Sequence, residues 1–512
     1  MTGSFNALDR AIAWFAPATA ARRAHYRRVL AYYEAADPSR LRKGRTSPGT
    51  GNLSVMKAGR ALREQARYLE QNHDLARGVL NDLVNKVVGP NGIGIEPQPR
   101  TAANEIHELF AEQIVALWKD WCYRPEVTWQ HDWVSCQRLV ARSWLRDGET
   151  FTQLVQGTTP YLNHGTLVPM SLEMIEADLV PFEYSLPPTI TMGVEVNAWG
   201  RSVAYWVLLQ PPGDTLQGFA IVPSNLKRVS ADRILHLALR DRIRQFRGVS
   251  VFASVLQRFD DLKDYEESER VAAKVAASMA AYIKKGTPDD YTNTPTSSDE
   301  PEQRQLKFRA GMVFDDLRPG EDIGTIDTRR PSSALDPFRD AMLRAGASGV
   351  GASFSSIAKK YDGTYSAQRQ EMVESFANYE ALSNAFTSRF VCPVYEAFIA
   401  TAIAAGALKV PADVLPQSVG DAIYIPPRMP WIDPEAETNA DILAEGSCIE
   451  SGPQIIRRRG GNPRDVIAQE AAWRKRLAAA GIAQNLNAQV RTPSVATPAG
   501  GARRQVNAHS GD

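Results

Sequence analysis

The chain has 512 residues, 44% of them hydrophobic and 23% charged, values of folded globular protein that exclude a fibre or a wholly disordered polypeptide. Lys plus Arg total 59 against 58 Asp plus Glu, and a net charge of +1 excludes a protein that coats nucleic acid with its whole surface. The charge is nevertheless polarised: residues 1–70 carry 13 basic and 5 acidic side chains, residues 451–512 carry 10 and 3, and residues 71–450 carry 36 and 50. Basic ends on an acidic body fit solvated tails, and they also fit a protein that handles DNA without sticking to it.

Cys122, Cys136, Cys392 and Cys448 form no Cys-x-x-Cys pair and are too sparse for a disulfide framework, which points to a reducing compartment. The short apolar run from Ala11 to Ala18 follows Asp9 and Arg10 and so lacks the positive region of a secretory signal. No stretch approaches the ~20 apolar residues of a membrane-spanning helix. A soluble protein made in a cytoplasm, with no membrane partner, is expected.

In chain order, residues 1–54 read as a flexible basic arm ending in turn chemistry at Thr46–Asn52. From Val55, apolar residues recur at helical spacing as far as Val88, where Gly89-Pro90-Asn91-Gly92 stops them. Further helices are predicted around Ile106–Trp121 and Trp133–Arg146. The pattern changes at Asp147-Gly148. Phe151–Val155, Leu172–Ile175, Val194–Val196, Val203–Leu209 and Ile234–Leu239 read as strands, and the absence of helix-length segments between them predicts a mixed or antiparallel sheet rather than a doubly wound one. Residues 55–248 thus form one helix-then-sheet unit.

Residues 249–335 open with 37 residues, Val249 to Lys285, that contain neither Pro nor Gly; as a single helix they would make a rod of roughly 55 Å. Its first half carries an acidic stripe, Asp260, Asp264 and Glu267, and its second half an alanine seam at 272/273, 276/277 and 280/281. Such a stripe fits a solvated helix face, and the seam fits plain helix propensity as well as close helix packing. Gly286–Gln303 has no aliphatic residue and reads as a linker or exposed loop, followed by predicted strands at Leu306–Phe314 and Ile323–Ile326. Residues 336–435 return to helix, with interruptions expected at Gly346–Gly351 and Gly363 and a long helix from Tyr365 to about Ala405, broken or kinked near Pro393. A basic helical region, 436–484, precedes a low-complexity tail, 485–512, expected to be disordered.

Signals of catalysis are weak. Ser356–Lys359 and Ser224–Lys227 both match Ser-x-x-Lys, but neither has the companion elements that chemistry needs. The seven histidines show no metal-ligand spacing, and Asn91–Gly94 lacks the third glycine of a phosphate cradle. Arg457-Arg458-Arg459 fits a solvated run or a phosphate grip. Neither a cofactor nor a metal is expected.

Several segments, in order along the chain, resemble the lambda-type phage portal protein family. They are Val87-Val88-Gly89 with Gly92-Ile93; Trp118–Trp121 leading to Arg146-Asp147-Gly148-Glu149; Glu173–Asp178; Gly193–Val196 with Gly200-Arg201 and Ala204-Tyr205-Trp206; and Ile234-Leu235-His236. Arg242 with Gln245-Phe246-Arg247-Gly248, Leu317–Glu321, and Tyr361-Asp362 with Tyr365-Ser366-Ala367-Gln368-Arg369 complete the set. The family usually has a serine where Ala367 stands, a departure confined to a helix start. The resemblance covers roughly residues 25–410.

The resemblance implies an α+β portal-type fold, with a mixed α/β wing, long stem helices, a clip and a helical crown. It implies no enzyme but a ring of twelve subunits at one vertex of a phage head, assembled in the host cytoplasm. Double-stranded DNA would pass through it during packaging and ejection, and the large terminase subunit, capsid or scaffold proteins and head-completion proteins would dock on it. Gln245, Arg247, Gly248, Tyr365, Ser366 and Arg369 would be structural or interface positions. Duplex DNA carries one charge per ~1.7 Å, so a cationic tunnel would hold it and an acidic one would let it pass; Asp260, Asp264 and Glu267 are therefore expected to line the channel. Two other classes stay open from the residues alone: a metal-dependent DNA-processing enzyme using Asp260/Asp261 or Asp289/Asp290, and another structural protein of the same virion head.

Overall fold

A computed structural model describes residues 49–211, 221–277, 281–285, 321–325, 335–429 and 434–481, together with part of 12–23. Most of the arm, the Gly286–Gln303 segment, the strand expected at Leu306–Phe314 and the tail from 485 lie outside the described residues. The chain mixes helices with antiparallel sheets.

The first helix, α1 (Gly51–Asn72), starts where Thr50 Oγ1 accepts from the Leu53 N–H at 3.3 Å. The helical periodicity expected to run unbroken to Val88 is divided at His73, whose extended backbone ends α1 and whose Nδ1 accepts from the first turn of α2 (Asp74–Val87). Helices α3 (Glu108–Cys122) and α4 (Trp133–Asp147) follow the short strand β1 (Gly94–Pro97). Asp132 caps α4 by accepting from the Ser135 N–H at 2.8 Å.

Two antiparallel sheets follow. In the first, β2 (Glu149–Gln156) is central between β3 (Met170–Ile175) and β8 (Ile234–Ala238); in the second, β4 (Ile190–Thr191), β5 (Val194–Val196), β6 (Ser202–Leu208) and β7 (Leu226–Ser230) lie side by side. Phe151, Ile175, Val180, Val194, Tyr205, Val229 and Ile234 form a small core between them. Strand β1 pairs with β11 (Ala422–Ile425), with Gly94 opposite Ile425. The 336–435 stretch, expected to be helical, therefore also contains a strand.

The 37-residue rod is not one helix. Helix α5 spans Leu256–Ala277, 22 residues, and Ala281–Lys285 is strand β9, paired antiparallel with β10 (Glu321–Thr325). Absence of Pro and Gly permits a strand as readily as a helix, and Tyr282 and Ile283 favour one. The alanine seam is thereby cut, since Ala281 belongs to β9 and Ala280 lies outside the described residues.

Helix α6 (Leu335–Val350) runs through Gly346 and Gly349, where an interruption was expected. Those glycines serve packing on α5 and the turn before it: a Cβ at 346 would stand 3.2 Å from the Phe259 ring, and one at 349 only 2.4 Å from Val255. After the short α7 (Phe354–Ala358), α8 (Tyr365–Phe386) passes through a π-turn at Thr387–Val391 into α9 (Cys392–Ala404), which places the irregularity immediately before Pro393. The main core joins α1–α4, β2, α5, α6, α8 and α9. At one end Trp118 stacks on Trp121 at 4.9 Å, Trp133 stacks on Phe390 at 5.6 Å, and Phe398 meets the edge of Trp118. Helices α10 (Pro434–Gly446), α11 (Gly452–Arg458) and α12 (Pro463–Ala479) close the described chain.

Candidate functional site

The inward face of α1 reads Val55, Gly59, Arg63, Ala66, Leu69, so an arginine occupies a core position one turn before Arg67. Helix α4 ends in Arg146-Asp147, and Gly148 turns the chain into β2 with φ 86°, which puts Glu149 at the first position of the central strand. Asp178 follows β3, His236 lies on β8, and Arg247-Gly248 sits on the loop leading back toward α5. Segments as far apart in sequence as Arg63 and Arg247 converge here.

Glu149 is at the centre and has no exposed surface. It accepts from Arg247 Nε at 2.9 Å, Arg63 Nη2 at 2.7 Å, His236 Nε2 at 3.1 Å and the Gly248 N–H at 2.9 Å. Arg247, also fully buried, donates onward to the carbonyls of Met192 at 2.5 Å and Val180 at 2.9 Å, and its guanidinium lies 4.2 Å from the Phe182 ring centroid. Arg63 donates through Nη1 to Asp178 at 2.8 Å; Arg67 grips Asp147 through two bonds and also reaches Asp178; Arg146 holds Asp147 from the other side and reaches Glu70.

Backbone geometry explains the glycines. A Cβ on Gly248 would meet the Gly148 carbonyl oxygen at 2.0 Å, and one on Gly148 would meet the Val249 carbonyl carbon at 2.2 Å. The two chains touch backbone to backbone, and only glycine on both sides lets Glu149 accept from the Gly248 N–H. Gln245 fixes the same loop by donating to the Arg247 carbonyl at 2.8 Å.

Burial alone raises the pKa of Glu149, but Arg247, His236 and Arg63 outweigh it and hold the carboxyl well below the usual carboxylate range. Burial pushes His236 down to about 4 against the pull of Glu149. The neutral ring fits both neighbours if Nε2 donates to Glu149 while Nδ1 accepts from Tyr205 Oη at 3.3 Å. Every charged group here has an oppositely charged partner, although Arg63 Nε itself is buried without an acceptor, and none is paired as nucleophile and base. The cluster joins α1, the first sheet and the 240–248 loop through these bonds.

The other sequence-derived positions lie elsewhere. Tyr365 opens α8, whose start Thr364 caps by accepting from the Ala367 N–H at 3.4 Å. Ser366 is exposed, and Arg369 reaches across to Glu437 at 3.8 Å. Asp260, Asp264 and Glu267 lie along the exposed face of α5, opposite Phe259 and Leu262, which are buried. Toward α6, α5 is joined by the Tyr265–Phe338 ring contact at 4.6 Å and the Glu266–Arg339 ion pair at 2.8 Å.

Arg457, Arg458 and Arg459 are not available as a phosphate grip. Arg457 donates to the buried Glu96 at 2.8 Å, and Arg458 and Arg459 both engage Asp441. Among the described residues no group of three or more His, Cys, Asp or Glu could hold a metal ion, and no helix is long and apolar enough to cross a membrane.

The sequence reading quoted Glu149, Asp178, His236 and Arg247 in separate motifs without joining them, and it missed Arg63 and Arg67. A usable signal was present: an arginine at the inward repeat of an amphipathic helix needs a buried acid, and Glu149 and Asp178 were the acids bordering strands.

Comparison with known proteins adds three findings. The family described as "Phage portal protein, lambda family" matches residues 37–382. A "Probable portal protein" of Halomonas phage phiHAP-1 is 23% identical over 454 residues, covering 86% of this chain and 85% of that protein. Among solved structures, a chain from the virion of a native gene transfer agent particle aligns with TM-score 0.42 and 14% identity over 81% of this chain and 99% of its own, and one from the neck of the native particle, computed with C12 symmetry, with TM-score 0.37 and 16% identity over 80% and 94%.

Proposed function

Because this chain belongs to the lambda family of phage portal proteins, we propose that copies of it close into a ring of twelve at one vertex of the phage head and that double-stranded DNA is packaged and ejected through that ring. The observation that carries this reading is the family match across residues 37–382. It spans the first-sheet charge cluster, α5 and the start of α8.

The outer end of the ring is the docking platform for the large terminase subunit and later for head-completion proteins, and its rim meets the capsid or scaffold. Assembly takes place in the host cytoplasm and the product is a virion component without enzymatic activity. Arg247, Gly248 and Gln245 keep each subunit's wing rigid, while Tyr365, Ser366 and Arg369 mark the turn into α8, where Arg369 contacts α10.

Asp260, Asp264 and Glu267 line the channel. A support for this placement is that all three are exposed on one face of α5. A tunnel repels the DNA backbone only if it releases no counterions by binding it, and carboxylates meet that condition.

Negative-stain microscopy and native mass spectrometry of the purified full-length protein test the reading. Closed rings of uniform stoichiometry are expected. A protein that stays monomeric at micromolar concentration, or that forms sheets, would overturn it.

A further inference from the structure

Ile243 is the most exposed large aliphatic side chain among the described residues, at 98%. Its loop is nonetheless held firmly to the start of α1. Asn52 Nδ2 donates to the Arg244 carbonyl at 3.0 Å, the Phe246 N–H donates to Asn52 Oδ1 at 2.9 Å, and Arg242 Nη1 donates to the Gly49 carbonyl at 3.1 Å. Arg244 sits at φ 64°, a conformation that residues with a Cβ rarely adopt. Trp199, 88% exposed on the turn before β6, stands on the same projection, because Gly200 packs against the Phe246 ring. The fold thus presents an isoleucine to solvent between Arg242 and Arg244, neither of which has an ion-pair partner among the described residues.

A matching cavity lies between α1 and α5. It has a volume of about 350 Å³ and is lined by Gln65, Tyr68, Leu69, Leu256, Gln257 and Asp260. Leu69 and Leu256 are buried and form its floor; Tyr68 is half exposed and is fixed by Lys263, whose Nζ donates to the tyrosine Oη at 3.2 Å. Asp260 stands exposed at its edge and is followed on α5 by the exposed Asp261, both also without an ion-pair partner among the described residues.

The projection and the cavity lie near opposite ends of α1 and do not meet within one copy. Asn52, which holds the loop, and Tyr68, which walls the cavity, are sixteen residues apart on α1, which at 1.5 Å per residue separates them by about 24 Å along its axis. Two complementary surfaces at separate places on one chain can make a head-to-tail contact, the kind that closes rings.

We propose that Ile243 of one copy seats in the α1–α5 groove of the next, with Arg242 and Arg244 meeting Asp260 and Asp261. The proposal rests on the ring reading above and assigns a surface to it. Asp260 stands where the acidic stripe meets the groove, so it borders both the channel and the neighbouring copy, while Asp264 and Glu267 face the channel alone.

The full-length protein provides the test. Ile243→Asp alters a side chain already in water and should leave the circular dichroism spectrum unchanged, yet weaken association about tenfold per contact, so that native mass spectrometry finds monomers and open oligomers. Arg244→Glu should do the same, and adding Asp260→Arg should restore rings. Ile243→Cys with Gln257→Cys, in a Cys448→Ser background, should give interchain disulfides that ladder up to a closed ring on mild oxidation. Intact rings in Ile243→Asp, rings without interchain disulfide in the double-cysteine protein, or a disulfide formed within one chain would each overturn the contact. A wild-type chain that forms no ring would instead overturn the reading on which it rests.

Discussion

Two sets of charges in this chain have opposite surroundings. Around Glu149, arginines and carboxylates from five segments are buried or half-buried and pair with one another, whereas Asp260, Asp264 and Glu267 on α5 point into solvent with no pairing required by the fold. At a few ångströms an ion pair is worth about 4 kcal/mol near a protein surface and about 1 kcal/mol in water, and taking each ion out of water costs several kcal/mol. The buried set therefore adds little net stability as a group but severely penalises any arrangement that leaves one member alone. It specifies register. The exposed set carries no such constraint and is free to act on whatever lies outside the chain.

The largest effect is expected from breaking the buried set. Glu149→Ala leaves Arg63 and Arg247 facing each other without a counter-charge and should cost about 3–5 kcal/mol, read by denaturant unfolding or as loss of soluble protein. Gly248→Ala, which would bring a methyl to 2.0 Å from the Gly148 oxygen, should be as damaging although it changes no charge. If both variants are as stable as the wild type, the cluster does not set the fold.

A titration sharpens the same point. The pKa of His236 is pushed down by burial from 6.5 to about 4, so between those values the unfolded chain binds a proton that the folded chain refuses. Stability is then fully present above about pH 6.5 and falls as pH drops toward 4, by about 3 kcal/mol in all. Glu149, whose folded pKa lies below its ordinary 4.5, adds stability that is present above that value and is lost as pH falls further. His236→Gln keeps an N–H donor toward Glu149 and should flatten urea-unfolding stability between pH 6.5 and 4 while leaving the steeper acid loss. An unchanged slope would place the titrating group elsewhere.

Much of the helical scaffold and the antiparallel character of the sheets was legible in the sequence, because apolar spacing and turn residues act locally. The failures have one cause. Gly346, Gly349 and β9 were misread since what decides them is a partner distant in sequence: the Phe259 ring of α5, Val255 just before it, and β10. The strands β1 and β11 pair across more than three hundred residues and carry no local signature. The same blindness hid the charge cluster, whose members were each visible in a motif while their convergence depended on the sheet. The acidic stripe of α5 was legible because helical periodicity alone puts 260, 264 and 267 on one face.

A smaller effect separates the C-terminal helices from the rest. Glu96 on β1 is nearly buried and accepts from Arg457 Nε at 2.8 Å and Nη2 at 3.1 Å. Arg457→Ala should cost about 1–3 kcal/mol by leaving that carboxylate with fewer donors. Hydrogen exchange should show faster opening confined to α11 and α12. Equal loosening around Glu149 would mean that the two charge sets are coupled, contrary to their separate packing.

The smallest effect on stability is expected where the effect on function is greatest. Replacing Asp260, Asp264 and Glu267 by lysine alters exposed side chains of α5 and should change unfolding free energy by no more than about 0.5 kcal/mol. In the channel reading, each lysine facing phosphate steepens the salt dependence of DNA binding by about 0.9 per contact, and the contacts repeat in every subunit. A ring that holds DNA cannot also pass it. Asp260 serves the neighbouring copy as well, so the informative comparison is Asp264→Lys with Glu267→Lys against Asp260→Lys alone. The double variant should assemble normally and fail to fill heads with DNA, with filling partly recovered as salt is raised. The single variant should lower ring yield first. Normal filling by intact rings of the double variant would remove these carboxylates from the channel, and the acidity of α5 would then belong to an outer, solvated face.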